Sequence, residues 1–397
     1  MDKSKSPFYP EMPVPPEEFV GRQALIQRIQ QRGLTQVSHG RSYSFFIEGE
    51  SGFGKTSLAQ YILKLGSVPK GPHRLLPLYV SLGGCQTRED LAEFILRAAV
   101  SLSGTWEQLR AFLSKFVSSI TLFGVVEVNT SETRDSAPDL ATPDALLGFL
   151  ANLQRRSGTR GVALVFDEIN GIANTEWFPQ FVKSLVDTNA ITQHVPLLLM
   201  FCGVPERRQQ MIRNHKPIER IWDPISVDVV DKEDIEQYLV KAFSSVRVAI
   251  SPDAVDLITF YSGGHPRIMH IIGDVAFWQD SDERIDEDDA LRALKGAADE
   301  VGAKFVDRQV LDELHSATYK RILQVVGKRI LDNGFGAGFT RKDVLQQLKD
   351  PKLERNLDNF LHKLRELKAV VSSERGAYRF SLPIIEAYIA MLSVPDD

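Results

Sequence analysis

Over the first 230 positions, apolar residues fall into short continuous runs separated by stretches of helical spacing. The runs are Tyr43–Ile47, Leu76–Ser81, Ile120–Val128, Val162–Phe166 and Leu197–Cys202. Between them, apolar residues recur every three or four positions at Gln23–Ile29, Lys55–Leu65, from Arg88, around Trp106–Val117, at Ala145–Arg155 and near Pro179–Thr188. Strands apolar on both faces that alternate with amphipathic helices predict a parallel sheet covered on both sides, an α/β fold.

After Val230 the strand-like runs stop. Asp231 to about Val301 reads as helices only, broken at Ser251-Pro252 and at Gly263-Gly264-His265-Pro266. From about Val310 the rhythm changes again. One helix carries Tyr319, Ile322, Leu323, Val326 and Ile330 on one face, and the loop Asn333–Phe339 follows. Thr340 is placed to cap a second helix, and Asp350-Pro351 to open a third with the stripe Leu353, Leu357, Phe360, Leu361, Leu364 and Leu367. Two short strands, Ala369–Ser372 and Tyr378–Ser381, flank the turn Glu374-Arg375-Gly376. Three helices and then a hairpin is the order of a winged helix-turn-helix. At the other end, five prolines within residues 1–18 exclude a helix and predict an extended arm, laid against the first domain or loose. The expected division is arm 1–18, α/β core 19–230, helical lid 231–305 and winged-helix domain 306–397.

A chain of 397 residues exceeds one hydrophobic core, which agrees with that division. With 43% hydrophobic and 25% charged residues, a wholly disordered chain is excluded. The longest apolar stretch, Leu197–Val204, lies between Pro196 and Pro205 and falls short of the roughly 20 residues that span a bilayer. No membrane partner is expected. A polar start and two distant cysteines, Cys85 and Cys202, predict a cytoplasmic protein without a zinc or disulfide framework. The net charge is −5, but from Val306 onward 15 basic residues face 13 acidic ones, net +2, which leaves −7 before it. Polyanion contact is therefore expected at the C-terminal end.

Gly49-Glu50-Ser51-Gly52-Phe53-Gly54-Lys55-Thr56 spells G-x-x-x-x-G-K-[ST] between a predicted strand and a predicted helix, with Ser57 next on the helix. Glycines let successive N–H groups turn inward around phosphates, and a helix N-terminus adds positive potential. Lys55 is placed to reach the β- and γ-phosphates of ATP, and the Thr56 hydroxyl to hold Mg²⁺. Phe53 occupies the position where a serine-hydrolase elbow needs glycine, so that alternative is excluded. The strand Val162–Phe166 ends in Asp167-Glu168. In a nucleotide site Asp167 holds Mg²⁺ through water, and Glu168 orients and deprotonates the attacking water.

With these motifs in this order, the chain resembles AAA+ ATPases of the group shared by origin-recognition initiators, transposition regulators and signal-transducing STAND ATPases. The resemblance implies that Val20, Gly21 and Arg22, in Phe19-Val20-Gly21-Arg22, lie beside the adenine. It aligns Leu197–Gly203 with the sensor-1 strand, although Cys202-Gly203 stands where Asn, Thr or Ser is usual; that role then falls on Arg207 or on no side chain. It makes Pro266 and Arg267 the start of the sensor-2 helix, with Arg267 on the γ-phosphate, and His265-Pro266 equally resembles the Gly-x-Pro feature of STAND proteins. Arg220 takes the place of a trans-acting arginine finger, in competition with Arg207, Arg208 and Arg213.

Two functions follow from the resemblance. One is an ATP-dependent, self-assembling switch that binds DNA through the helix Lys352–Lys368 and the wing Arg375–Arg379, with Asn356, Asn359, His362 and Lys363 toward DNA and Glu354 and Asp358 opposing it. The other is a STAND-like signalling or defence ATPase whose winged helix contacts protein. A loader that recruits an unknown protein partner through Ser131–Pro143 is a third possibility.

Overall fold

The computed structural model of the chain describes residues 4–102, 140–302, 317–348, 350–366, 368–374 and 376–393. The predicted helix at 106–117, the strand at 120–128, most of the loop 131–143, Leu367 and Arg375 lie outside the described residues. The chain divides into two compact units, Pro13–Asp228 and a second made of Met1–Met12 with Val229–Asp397.

The first unit is built on five parallel strands, β1 (Tyr43–Glu48), β2 (Leu75–Ser81), β3 (Gly161–Asp167), β4 (Leu197–Gly203) and β5 (Asp223–Ser226), in the order β2-β3-β4-β1-β5. Every residue of β3 and β4 is buried, which is why both read as unbroken apolar runs. Alternation splits their side chains between two cores. Phe46, Leu164, Phe166 and Phe201 pack against the helices Arg88–Ser101, Pro143–Ser157 and Trp177–Thr192. Phe45, Ile47, Val165 and Met200 pack with Leu58 and Ile62 of the helix Lys55–Ser67. At the edge, Asp223 of β5 accepts from Arg28, Arg32 and Tyr43, so its charge is balanced where the sheet ends.

The second unit contains the helices Lys232–Ser245, Pro252–Ser262, Pro266–Gln279 and Glu287–Val301. The expectation of helices alone needs correction. β6 (Ala249–Ile250) and β7 (Arg284–Ile285) form a parallel pair, too short to leave a period-2 signature in the sequence. The arm meets its expectation only in part: Pro13–Glu18 belong to the first unit, where the Val14 N–H donates to Ser57 at 3.1 Å, whereas residues 4–12 pack with this unit. Phe8 is buried against Tyr238, Phe243 and His270, with ring centroids 6.3, 4.9 and 6.1 Å away. Gly273 makes the slot: a Cβ there would come within 2.3 Å of the Phe8 ring. His270 Nδ1 accepts from the Tyr9 N–H at 3.2 Å, and burial lowers the imidazole to about 3, so it stays neutral.

Beyond Ala317 follow the helices Ala317–Asn333, Arg341–Gln347 and Pro351–Glu366. A three-stranded antiparallel sheet, order β8-β10-β9, is formed by β8 (Phe339–Thr340), β9 (Val370–Glu374) and β10 (Ala377–Phe380). Thr340 and Asp343 form a reciprocal capping box, and the Asp350 carboxylate accepts from the Lys352 N–H at 2.8 Å. Leu353, Leu357, Phe360, Leu361 and Leu364 are buried along one helix stripe, with Tyr319 stacked on Phe360 at 5.2 Å. A further helix, Pro383–Met391, is absent from the sequence reading. It packs so tightly on the helix Ala317–Asn333 that a Cβ on Gly327 would lie 2.3 Å from the Ile389 carbonyl.

Candidate functional site

The loop after β1 leaves the sheet where β1 lies between β4 and β5, and its path depends on glycine. A Cβ on Gly49 would meet the Val227 carbonyl at 2.3 Å, and Gly52 and Gly54 hold φ of +81° and +82°. Gly54 then caps the helix Lys55–Ser67, whose first turn faces the loop. Lys55 Nζ donates to the Gly49 and Glu50 carbonyls at 2.8 and 2.7 Å, so the lysine closes over its own loop. Burial holds its ammonium below the ordinary lysine range, against the raising influence of the nearby acids.

Asp167, at the end of β3, is buried and joins three elements. Its Oδ2 accepts from Thr56 Oγ1 and from the Tyr79 hydroxyl, each at 2.7 Å, and its Oδ1 accepts from the Glu168 N–H at 2.8 Å. Burial, then Asp167, push the Tyr79 hydroxyl well above its ordinary pKa, which keeps it a neutral donor. Paired hard oxygens of Thr56 and Asp167 are the donor type Mg²⁺ takes, so these residues fit the ion. Glu168 has φ +55°, a strained value for a residue with a side chain. Ser81 Oγ donates to its Oε2 at 2.8 Å, which rests the carboxylate over the loop after β2. Tyr79 and Ser81 were missed from the sequence. Their signal is polar residues at alternate positions closing an otherwise apolar strand, in register with Val165 and Asp167.

Around the loop, Arg22 (φ +60°) follows the buried Gly21 (φ +85°) and donates to the Asp228 carbonyl at 2.9 Å. Its guanidinium lies 3.6 Å from where a Cβ on Gly54 would stand, so Val20, Gly21 and Arg22 are brought to the phosphate loop. Phe19 stacks on Tyr61 at 4.9 Å, and the Ser57 hydroxyl accepts from the Val14 N–H at 3.1 Å. Phe53 packs partly buried beside the core, and Ser51 is exposed.

Cys202 is fully buried, and burial raises its thiol far above the ordinary range, so β4 offers no polar sensor there. Of the competing arginines, Arg207 donates to Asn174 Oδ1 at 2.7 Å, Arg208 binds Glu48 at 2.6 Å and Arg213 donates to Gln210 at 2.6 Å. Arg220 ends the turn Lys216–Arg220, exposed and without a hydrogen bond or ion pair among the described residues. Pro266 and Arg267 open a helix of the second unit, where Arg267 donates to the Pro10 carbonyl at 3.1 Å and to Glu11 at 2.8 Å. Among the described residues no group of His, Cys, Asp and Glu forms a metal cluster, and no helix is long and apolar enough to cross a membrane.

Residues 18–199 match the AAA ATPase domain family. Two solved structures share the fold over nearly the whole chain. A Walker-type ATPase of Pyrococcus abyssi aligns with a TM-score of 0.56 at 16% identity, over 94% of this chain and 96% of its own. The ORC2 protein of Aeropyrum pernix, in ADPNP–ADP complexes, aligns with a TM-score of 0.56 at 15% identity, over 94% and 91%. No curated protein matches in sequence. The first unit thus has the α/β P-loop core of the AAA+ fold, in which β1, between β4 and β5, delivers the phosphate loop.

Proposed function

We propose that the chain is an ATP-binding and slowly hydrolysing switch that assembles with copies of itself when ATP is bound and contacts DNA through a C-terminal winged helix. The observation that carries this reading is that Lys55 donates to the loop carbonyls of Gly49 and Glu50 at 2.8 and 2.7 Å while the next residue, Thr56, donates to Asp167 at 2.7 Å. Phosphate oxygens replace the Gly49 and Glu50 carbonyls as acceptors for Lys55, and charge-assisted bonds of this kind contribute about 1.5–3 kcal/mol each. Thr56 and Asp167 hold Mg²⁺, which neutralises phosphate charge when bound. Val20, Gly21 and Arg22 form the wall beside the base. Glu168 takes a proton from water after its carboxylate leaves Ser81.

Arg220, exposed and uncommitted, is suited to reach the γ-phosphate of a neighbouring copy, and Arg267 to read it from a lid (231–305) once released from Glu11. Mixing Arg220→Ala with Lys55→Ala protein tests the first role: partial recovery of hydrolysis is expected, and full activity in a strictly monomeric preparation contradicts it.

The element order from Ala317 to Phe380 supports the winged-helix reading. One observation favours the alternative, a STAND-like ATPase with a protein-contacting C-terminal module. On the helix Pro351–Glu366 charges are paired off: Arg341 binds Asp358 through two bonds of 2.6 and 2.9 Å, and His362 and Lys363 lie 3.5 and 3.9 Å from Glu366. The deciding measurement is fluorescence anisotropy on a long duplex with ATP. Salt-sensitive, ATP-dependent binding that Lys363→Glu with Arg379→Glu abolishes supports the DNA reading, and no binding at low salt leaves the signalling one.

A further inference from the structure

The ends of the strands opposite the phosphate loop carry a second concentration of charge. Strands β1 to β4 are parallel, so the segments that precede them, 39–42, 68–74, 158–160 and 193–196, share one edge of the sheet. These segments contain no Asp or Glu, in a chain of net charge −5. They contribute Arg41, Lys70, Arg74 and Arg160, all exposed, and His39, His73 and His194. The Arg41 and Lys70 side chains have no hydrogen bond or ion pair among the described residues. Arg74 and Arg160 each spend one donor on a carbonyl, of Gly158 and Pro72, both at 3.2 Å, which fixes the two guanidinium groups across the β2–β3 register. The nearest sheet-end carboxylate, Asp223, is taken up by Arg28 and Arg32.

His73 is the second observation. It is 4% exposed, yet both ring nitrogens lack a hydrogen-bond partner. Burial, then the neighbouring His39 and Arg160, lower its pKa. A buried donor without an acceptor is destabilising, and such a group calls for a ligand or an ordered water. An anionic oxygen beside Arg160 and His39 would accept from it. The cations span β2 to β1, three strand spacings or roughly 14 Å, which exceeds one phosphate group but suits a run of several.

We propose that this edge of the sheet, seated on His73 and walled by Arg41, Lys70, Arg74 and Arg160, binds the phosphodiester backbone of a nucleic acid. It deepens the DNA reading above and rests on it, by adding a contact surface about 20 Å of strand away from the nucleotide. Four phosphate contacts imply a log–log salt slope near −3.6, at about −0.9 per contact.

The test uses the full chain and a labelled duplex, with affinity measured across salt concentrations. Arg41→Glu with Lys70→Glu is expected to weaken binding at least tenfold and to flatten the slope by about two, while ATP affinity is unchanged. His73→Phe keeps the buried volume and removes the N–H, and a several-fold loss is expected. If the wild type binds and only Lys363→Glu with Arg379→Glu weakens it, the sheet-edge proposal is overturned and the winged-helix reading stands. If only the sheet-edge variants weaken it, the proposal stands and the winged-helix reading falls. A wild type that binds no duplex overturns both.

Discussion

The two ends of the five-stranded sheet are built from different materials. At the C-terminal ends, chemistry is made from backbone: glycine geometry opens a nest of N–H groups, one lysine folds over it, and buried carboxylate bonds fix the side chains within tenths of an ångström. At the N-terminal ends, three separate loops supply four exposed cations with few mutual contacts. The first arrangement is intolerant because each atom is shared among several partners. The second is a sum of nearly independent charges, so its members are replaceable singly and matter together.

That contrast can be broken at four points, in descending effect. Glu168→Gln removes the proposed general base while preserving its shape, and steady-state hydrolysis should fall by about 10²–10⁴ with ATP binding retained. Undiminished turnover would place the base elsewhere. Gly49→Ala drives a Cβ into the Val227 carbonyl. Overpacking of this kind costs about 1–3 kcal/mol, so the thermal midpoint should drop and nucleotide affinity fall with it. Tyr79→Phe deletes one of the bonds to Asp167 Oδ2 and leaves the ring. We expect about 1 kcal/mol, read as a roughly fivefold rise in the Mg²⁺ concentration for half-maximal hydrolysis, with the melting curve nearly unmoved. An unchanged Mg²⁺ midpoint would mean that Thr56 alone positions the carboxylate. Smallest of all, Arg41→Ala and Lys70→Ala, each alone, should leave stability within about 0.5 kcal/mol of the wild type. A larger shift in urea titration would show that the opposite edge is also an interlocked structure.

How much of this was readable beforehand follows the same division. The turn Gly49–Thr56 and the place of Asp167 at the end of β3 were legible because backbone geometry dictates glycine at set spacings and an unbroken apolar run marks where the strand ends. The strands β3 and β4 were legible for an equally direct reason, burial on both faces. Tyr79 and Ser81 escaped because their partners lie on β3, more than 80 residues away in the chain. The cations of the opposite edge escaped because they belong to three loops that only parallel pairing brings together, inside a region whose summed charge is negative. β6 and β7, two residues each, are below any periodicity. Pro383–Met391 does carry a helical stripe, Ile384, Ile385, Tyr388 and Ile389, but the three-helix-and-hairpin order ends before it.

The docking of Phe8 has a consequence for the order in which the chain matures. Tyr9 meets His270 across 261 residues, so the arm belongs to a structure whose other half is synthesised much later. At about 5–20 residues per second, the arm waits roughly 13–50 s before its slot over Gly273 exists. The strands of the first unit meet in that interval, which lets the core close before the second unit captures the arm. A substitution in the arm, at Phe8 or Tyr9, therefore acts after the first unit has closed, and its damage should be found in the helices around His270.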